Sequence, residues 1–413
     1  MSKYILKNGI ITNSDGFAPG DLTVKNGRIC GNGQNGVICD LGASSFVYPA
    51  LINTHDHLRG NYLPRVGPQN GVFYLNWLPW DNDLKASPCY AERSRALDME
   101  KGYLLSAYKT LFSGIITVND HFPHEFNKNI LPTLPIRAIQ NYAIAHEASS
   151  YELKWGGPIT EEHDIAKKNN WPFITHLAEG FDDESMNSLA NLEKTGVLSR
   201  HCLFVHCIAF SDEDIKKCAA AGASISWCGA SNMFMFNTTC KIKKFIDAGV
   251  NVTIGTDSSH TGAFNLLEEI KYDRELYRKM FGEDLNAKLI FKMITKNAAK
   301  ALWVGDCTGE LKTGYNADIL VLKAQKDDAY ENLAAASSKD IELLIYEGKA
   351  IYGEERFIAL LGGSLPENYT MLKVNGRSMF VTGDPAALYR HIRKATGIKK
   401  ILDFLPFEPE EQD

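Results

Sequence analysis

Four short apolar segments of this chain end in side chains that can bind a metal ion. The first, residues 48–57 (YPALINTHDH), ends in His55 and His57. Alternate residues of a strand point to the same side, so these two imidazoles can approach one point in space. The later segments 173–179 (FITHLAE), 202–206 (CLFVH) and 252–257 (VTIGTD) carry His176, His206 and Asp257 at their ends. The fold must therefore bring distant strand ends to one place.

A parallel α/β barrel does this, because the carboxyl ends of all of its strands face one mouth. We therefore predict a (β/α)8-type TIM barrel over residues 46–309, which would form the metal-dependent catalytic domain. The interval between the predicted third strand, 135–143, and the strand that ends at His176 is only about 30 residues, roughly the length of one strand-helix-strand unit. The fourth strand is thus predicted to be either a short segment near residues 151–155, or missing together with its complete repeat.

Short alternating segments at both chain ends predict a smaller second module. Residues 1–45 and 310–362 are expected to form a composite β-sandwich around the barrel insertion. Residues 31–36 (GNGQNG) match the glycine pattern of dinucleotide-binding proteins, but a strand-like run follows instead of a helix, so the pattern predicts a hairpin turn. Residues 363–413 are predicted to be a C-terminal extension, to which the sequence assigns no function.

Composition excludes several classes of partner. The 413 residues carry a net charge of -6, and no block of Lys and Arg could follow a phosphate backbone, so nucleic acid polymers are not expected partners. No run approaches the roughly 18 apolar residues of a membrane span. The nine cysteines include no Cys-x-x-Cys pair, which favours reduced thiols. We expect a soluble cytoplasmic protein that acts on a small heterocyclic molecule and water, and a homodimer is left open.

Residues near the predicted barrel mouth suggest substrate contacts. The segment 58–85, predicted to be a loop, contains Trp77 and Trp80, whose rings suit a planar ligand. His121 and His124 follow the second predicted strand. Arg59 suggests an anionic or carbonyl-bearing edge of the substrate, although a salt bridge within the loop explains it equally well. The predicted substrate-binding residues are Arg59, Trp77, Trp80 and His121.

In combination, these motifs resemble the amidohydrolase superfamily. The resemblance extends from the N-terminal strands to residues 309–322 (GELKTGYNADILVL). The spacing from His176 to Glu179, and Ser231 followed by Asn232, resemble the mononuclear-metal branch with cytosine, guanine and S-adenosylhomocysteine deaminases and triazine hydrolases. The resemblance implies one Zn or Fe ion per chain, and it assigns the side chains as follows: His55, His57, His176 and Asp257 bind the metal, while Glu179 and His206 act on water and substrate.

The chemistry of these side chains agrees with the resemblance. A divalent metal can lower the pKa of bound water toward 7, which creates hydroxide at neutral pH. Asp257 can accept the water proton, His206 can orient the nucleophile, and Glu179 can pass the proton to a ring nitrogen. The expected reaction is a hydrolytic deamination that releases ammonia from an amino-substituted nitrogen heterocycle of the nucleobase, pterin or triazine type.

Three alternatives stay open at the level of sequence. A binuclear cyclic-amide hydrolase of the same superfamily would need a bridging modified lysine, for which Lys154 is the nearby candidate. A dechlorinating or other C–N hydrolase would use the same groups. A non-catalytic metal-binding scaffold is the third alternative. Among deaminases, guanine is disfavoured as the substrate, because Gly60 stands where guanine-type members commonly have a glutamine.

Overall fold

The computed structural model describes residues 3–31, 36–42, 44–151, 153 and 155–409. Among these residues, no helix combines the length and the apolar character needed to cross a membrane.

In chain order, the strands are β1 (Tyr4–Thr12), β2 (Phe17–Lys25), β3 (Arg28–Cys30), β4 (Val37–Asp40), β5 (Ser45–Pro49), β6 (Leu51–Asp56), β7 (Ile115–Asp120), β8 (Arg137–Ala138), β9 (Ala143–Glu147), β10 (Phe173–Leu177), β11 (Cys202–His206), β12 (Ser224–Trp227), β13 (Asn251–Ile254), β14 (Ile319–Lys323), β15 (Ile341–Tyr346), β16 (Lys349–Glu354), β17 (Tyr369–Val374) and β18 (Arg377–Thr382). The α-helices are α1 (Trp77–Ala86), α2 (Pro88–Ala96), α3 (Met99–Leu111), α4 (His124–Asn127), α5 (Ile159–Asn169), α6 (Asp183–Lys194), α7 (Asp212–Ala221), α8 (Gly229–Phe236), α9 (Ile242–Asp247), α10 (Leu266–Phe281), α11 (Ala287–Met293), α12 (Lys296–Ala301), α13 (Ala329–Ala335) and α14 (Pro385–Thr396).

Strands from both chain ends form one ten-stranded sheet. Its order is β17-β18-β16-β15-β14-β5-β1-β2-β3, with β4 paired to β1. The two ends meet where β5 runs antiparallel to β14, with Val47 opposite Val321, and both of these side chains are buried. The predicted joining of the two ends is therefore present as one continuous sheet, and the predicted sandwich of two sheets is not shown. The hairpin β17–β18 extends the same sheet beyond β16, so residues 369–382 of the predicted extension are part of it.

The central strands form two parallel sheets, one of β6-β7-β8 and one of β9-β10-β11-β12-β13. Strands such as β7 and β11 are buried along their whole length, as expected where helices cover a parallel sheet. Strand β6 lies beside β13, since the Asp257 backbone N–H donates to the His55 carbonyl oxygen at 3.1 Å and the Thr54 hydroxyl donates to the Ile254 carbonyl at 3.1 Å. The arrangement is TIM-barrel-like, with the strand carboxyl ends on one side.

The two central sheets contain eight strands, β6 to β13, but no helix separates β8 from β9 in the described chain, so the region has one strand-helix repeat fewer than the predicted eight. Only residues 139–142 separate β8 from β9, whereas a crossover between parallel neighbours needs a dozen or more residues. Because β8 pairs with β7 and β9 pairs with β10, the chain passes from one sheet to the other without reversing. Just beyond the segment 151–155, Gly156 forms an isolated antiparallel bridge with Ala145 of β9. Over the described residues, the structure agrees with the second of the two predicted outcomes, the missing repeat.

The segment between β6 and β7 is more helical than predicted. Helix α1 lies inside the predicted loop 58–85, and the Asn76 side chain begins it by accepting from the Leu78 backbone N–H. Residues 88–111 form two helices, α2 and α3, and the second begins after Asp98, whose side chain accepts from the Lys101 backbone N–H. Residues 32–35 of the glycine pattern, Lys154 and residues 410–413 of the acidic tail lie outside the described residues.

Candidate metal centre and active site

The predicted metal-binding side chains meet at the carboxyl ends of the central strands. His55 belongs to β6 and His57 directly follows it, His176 belongs to β10, and Asp257 follows β13. Ligand atoms of His55, His57 and Asp257 all lie within 4.8 Å of one another, and so do those of His55, His176 and His206. The Asp257 Oδ1 atom is 3.5 Å from His57 Nε2 and 3.8 Å from His55 Nε2. His55 is common to both groups, so all five side chains form one cluster.

Left-handed backbone at three strand ends helps to place this cluster. His206 has a φ of 70°, Asp257 of 54° and Ala178 of 56°. Such angles are uncommon for residues other than glycine, and cost about 1–3 kcal/mol each. The chain leaves the strand abruptly at each of these positions, and two of them carry cluster side chains. The surrounding structure must hold the strained backbone, as is common at functional sites.

Hydrogen bonds behind the cluster orient two imidazoles. His176 Nδ1 lies 2.9 Å from the His146 carbonyl oxygen, and His206 Nδ1 lies 2.8 Å from Asn232 Oδ1. A carbonyl oxygen only accepts, so each Nδ1 carries the hydrogen and each Nε2 keeps its lone pair. The Asn232 amide is itself fixed, because its Nδ2 donates to Thr239 Oγ1 at 3.1 Å. Partners of this kind set the tautomer of metal-binding histidines.

Asp257 is held as a carboxylate by several donors. The Ser258 backbone N–H donates to Oδ1 at 2.7 Å, while the Ser231 and Thr261 hydroxyls donate to Oδ2 at 2.8 Å and 3.0 Å. Burial alone would raise the pKa of Asp257, but the imidazoles of the cluster outweigh it and hold the pKa well below its usual value. Asp257 therefore contributes the negative charge of the cluster.

The cluster fits a divalent metal ion. His55 is fully buried, and within the described chain neither of its ring nitrogens has a hydrogen-bond partner. Burial is the main cause that lowers the pKa of His55 and of His176, so both rings are neutral, the form that binds metals. A buried polar group without a partner is unfavourable, and a cation would satisfy it. Imidazole nitrogens with one carboxylate oxygen are a donor set that suits Zn or Fe.

A buried carboxyl group lies beside the cluster. Glu179 follows β10 and is 6% exposed, and its Oε1 is 3.6 Å from His206 Nε2. Burial, followed by the charges of Asp257 and Glu147, raises the pKa of Glu179 well above its usual value. The neighbouring carboxyls Glu179 and Asp257 thus differ in protonation, because only Asp257 is held ionised. Such a pair can divide acid and base roles between its members.

A cavity of about 360 Å³ opens onto the cluster, and aromatic rings form much of its wall. The Trp77 indole N–H donates to Glu147 Oε2 at 2.5 Å, which fixes that ring. Trp80 stacks on His260 with ring centroids 5.1 Å apart and planes 13° apart. The wall suits a flat, partly apolar ligand. Its lining residues include His57, Arg59, Trp77, Trp80, Arg93, Phe122, His146, Trp155, His176, Glu179, His206, Asp257 and His260.

Three of the four predicted substrate contacts line this cavity, namely Arg59, Trp77 and Trp80. His121 does not. It is fully buried behind the cluster, with its ring centroid 3.9 Å from that of His176 and 5.6 Å from that of Trp155. Among the described residues neither of its ring nitrogens has a hydrogen-bond partner. His124 turns away, with Nε2 2.8 Å from the Tyr142 carbonyl.

Several cavity residues were not predicted from the sequence, among them His146, Trp155, Arg93 and His260. His146 could have been found, because residues 143–147 (AIAHE) repeat the design of a short apolar segment that ends in a metal-capable side chain. His260 lies three residues beyond Asp257 and could have been suspected for that reason. Arg93 gives no such signal, since it belongs to α2 of the region that covers the strand ends.

Comparison with known proteins agrees with this geometry. Residues 163–351 match the model of the amidohydrolase family. A 5-methylthioadenosine/S-adenosylhomocysteine deaminase of Caldicellulosiruptor saccharolyticus is 30% identical over 228 residues, which cover 51% of this chain and about half (52%) of the relative's length. A 5'-deoxyadenosine deaminase of Methanocaldococcus jannaschii is 28% identical over 350 residues, which cover 72% of this chain and 79% of the relative.

Solved structures share the fold. An adenosine deaminase from Xanthomonas campestris with bound zinc superposes with a TM-score of 0.70 at 17% identity, covering 95% of this chain and 98% of that one. The guanine deaminase of E. coli gives a TM-score of 0.64 at 18% identity, with coverages of 85% and 98%. The resemblance inferred from the motifs is thereby confirmed. Residues 163–351, just under half of the chain, are thus similar to the amidohydrolase family domain.

Proposed function

We propose that the protein is a metal-dependent hydrolytic deaminase that releases ammonia from an amino-substituted nitrogen heterocycle. The observation that carries the proposal is the meeting of His55, His57, His176 and Asp257 around buried imidazole nitrogens, with the protonated Glu179 beside them. We assign these four side chains to one divalent metal, Zn or Fe, in the mononuclear class. The relatives described above are deaminases of adenosine derivatives, which supports a C–N hydrolase.

Each side chain has a role that follows from its protonation state. A divalent metal at this cluster would supply Lewis acidity and lower the pKa of a water molecule. The ionised Asp257 carboxylate accepts a proton, and the Nε2 lone pair of His206 orients the attacking oxygen. Glu179, whose pKa burial raises, donates its carboxyl proton to a ring nitrogen, which makes the adjacent ring carbon more electrophilic. Water adds its oxygen to that carbon and gives one proton to Asp257. The amino group takes this proton from Asp257 as the C–N bond breaks and leaves as ammonia, while the proton of the new hydroxyl returns to Glu179 and a carbonyl forms.

The surrounding fold supports this division of labour. The domain that we propose for catalysis is residues 46–309, whose strand ends carry all five cluster residues. The ten-stranded sheet overlaps this range only at β5 and contributes none of the cluster residues. Helix α1 and the turn after β6 place Trp77, Trp80 and Arg59 on the cavity wall. Variation in such covering segments changes specificity without changing the chemistry.

Ammonia release from a panel of purines, pyrimidines, pterins and triazines tests the proposal, together with metal analysis of the purified chain. We expect about one tightly bound metal per chain and at least one substrate. Two metals per chain would favour the cyclic-amide hydrolase. A chain that holds no metal and releases no ammonia would favour the scaffold and would overturn the proposal.

The variant Glu179→Gln tests the proton transfer. Glutamine keeps the shape of the side chain but cannot donate the carboxyl proton, so we expect turnover to fall at least about a hundredfold while the metal content is unchanged. Glu161→Gln is the control, because Glu161 is an exposed residue of α5. Deamination by Glu179→Gln at the wild-type rate would remove this role from Glu179.

A further inference from the structure

Two arginines lie together on one wall of the cavity. Arg59 is in the turn that follows β6, and Arg93 belongs to α2 and is only 9% exposed. An N–H of the Arg93 guanidinium donates to the Arg59 carbonyl oxygen at 3.4 Å. The Arg93 guanidinium lies 4.5 Å from the centre of the Tyr90 ring, and that of Arg59 lies 5.4 Å from the centre of the Phe122 ring. Both side chains therefore pack on aromatic rings that also line the cavity.

Among the described residues, neither arginine has an acidic partner. Over the described residues, no carboxylate oxygen lies within 4.0 Å of either guanidinium. The acidic residues nearby are engaged elsewhere, since Glu92 pairs with Lys400 at 2.9 Å and Asp81 pairs with Lys85 at 2.5 Å. The hydrogen bond from Arg93 to the Arg59 carbonyl uses one of its five donors. Most of the donors of the pair thus remain available to a ligand.

This arrangement is unfavourable without a counter-charge. Burial of a charged group is costly unless the group is paired, and two like charges side by side add repulsion. Burial, and then the charge of Arg59, lower the pKa of Arg93, which reflects the same two effects. His260 stands near Arg93, and burial lowers the pKa of His260 to about 4, so this ring adds no further positive charge. An anionic ligand would remove both penalties.

We propose that the substrate of this site carries an oxyanion, a carboxylate or a phosphate, which Arg93 and Arg59 bind while the heterocycle lies against the aromatic wall. The inference rests on the proposed function and narrows it to anionic amino-heterocycles. Arg59 and Arg93 line the same cavity as the metal-binding cluster, so one ligand can contact both. Guanidinium groups suit this task because their N–H donors match the two oxygens of a carboxylate or phosphate.

Binding of matched compounds measures the preference directly. The pairs are pterin with pterin-6-carboxylate, and adenosine with adenosine 5'-monophosphate, so that the first pair tests a carboxylate and the second a phosphate. Quenching of the tryptophan fluorescence reports binding without turnover, since Trp77, Trp80 and Trp155 line the cavity. We expect the anionic member of at least one pair to bind about tenfold tighter or more, the scale of charge-assisted hydrogen bonds.

Variants assign the preference to the two arginines. Arg93→Gln should reduce the anionic-to-neutral ratio of affinities at least about tenfold, and Arg59→Gln should reduce it less, because Arg59 is more exposed and better solvated. Arg93→Lys should restore part of the ratio because it keeps the charge. Arg95→Gln is the matched control, an exposed arginine of the same helix, and should leave the ratio unchanged.

The outcomes separate this proposal from the proposed function. Equal or weaker binding of the anionic member in both pairs, or a ratio that Arg93→Gln leaves unchanged, would overturn the oxyanion site. Ammonia release from neutral heterocycles in that case would leave the deaminase proposal intact. A clear preference for the anionic member, without ammonia release from any compound, would keep the oxyanion site and count against the deaminase.

Discussion

Two groups of buried ionisable side chains in this molecule have opposite characters. The strand-end cluster combines neutral imidazoles with the ionised Asp257, and it opens onto a cavity. The second group is a pair of acids on α10, Glu269 and Asp273, which are both fully buried. Burial, and then their mutual repulsion in the case of Asp273, raise the pKa of both carboxyls. Neither of them is among the residues that line the cavity.

The hydrogen bonds differ in the same way. In the strand-end cluster, the hydrogen bonds to His176 and His206 leave the Nε2 lone pairs free, and those to Asp257 hold its negative charge in place. Glu269 instead accepts from two backbone N–H groups, those of Ala230 at 2.9 Å and Ala263 at 3.3 Å, and thereby ties α10 to α8 and to the segment after β13. Across the described residues, both carboxyl oxygens of Asp273 lack a partner. A perturbed pKa therefore indicates a site only where complementary donors and an open cavity accompany it.

The same substitution in both groups should have very different effects on activity. Asp257→Asn removes the negative charge and the proton acceptor, so we expect turnover to fall about a thousandfold, within the range for acid–base groups, and metal retention to fall as well. Asp273→Asn is the matched control and should keep both the turnover and the metal content of the wild type. Rates of ammonia release and metal content, measured side by side, check this difference. Equal losses in the two variants would abolish the distinction drawn between the groups.

Asn232 offers a finer test of how the cluster is oriented. Asn232→Leu removes the acceptor of His206 Nδ1, so the ring can adopt the other tautomer and can rotate. We expect turnover to fall about 10–100-fold, the effect known for partners behind metal-site histidines. Nitrogen NMR of the His206 ring should show a loss of the Nδ1–H tautomer. Thr239→Val is the comparison. It removes the hydroxyl that accepts from Asn232 Nδ2, but it keeps Asn232 Oδ1 as the acceptor of His206 Nδ1, so its effect should be smaller.

Much of the cluster could be predicted from the sequence because its signals are local. Strand ends that carry His55, His57, His176, His206 and Asp257 each show an apolar run followed by a polar side chain, and a parallel fold then has to gather them. The joining of the two chain ends in one module was predicted in the same way, from alternating segments at both ends.

The features of the fold and the site that could not be predicted depend on packing between segments that are distant in sequence. The position of Arg93 depends on how α2 folds over the strand ends, and the burial of Asp273 depends on α8 packing against α10. Along the sequence, Asp273 looks like an ordinary polar position of an amphipathic helix. The sequence could not decide between a short fourth strand and a missing repeat. The bridge from Ala145 to Gly156 beside β9 has no signature in composition or spacing.

The smallest expected effect is on stability, and it again separates the two groups. The raised pKa of Asp273 means that the folded chain keeps a proton that the unfolded chain loses above its ordinary value of about 3.9. Unfolding then releases a proton, so the contribution of Asp273 to the free energy of unfolding decreases as pH rises from that value to the folded-state pKa. Asp273→Asn removes this dependence, since asparagine imitates the protonated carboxyl.

Urea unfolding at pH 5 and pH 8 measures the effect. We expect Asp273→Asn to raise the free energy of unfolding relative to the wild type, and to raise it more at pH 8, by up to about 1.4 kcal/mol for each unit between the two pKa values. Asp212→Asn is the control of opposite sign, because Lys241 and Lys244 lower the pKa of this exposed carboxyl to about 2. The ion pairs of Asp212 with these lysines stabilise the fold above the unfolded-state pKa of the carboxyl, and this contribution is lost as pH falls. Asp212→Asn should therefore slightly lower the free energy of unfolding at both pH values. An advantage of Asp273→Asn that is the same at pH 5 and pH 8 would mean that the Asp273 carboxyl is ionised in the fold, and α10 would then need a counter-charge that the described structure does not provide.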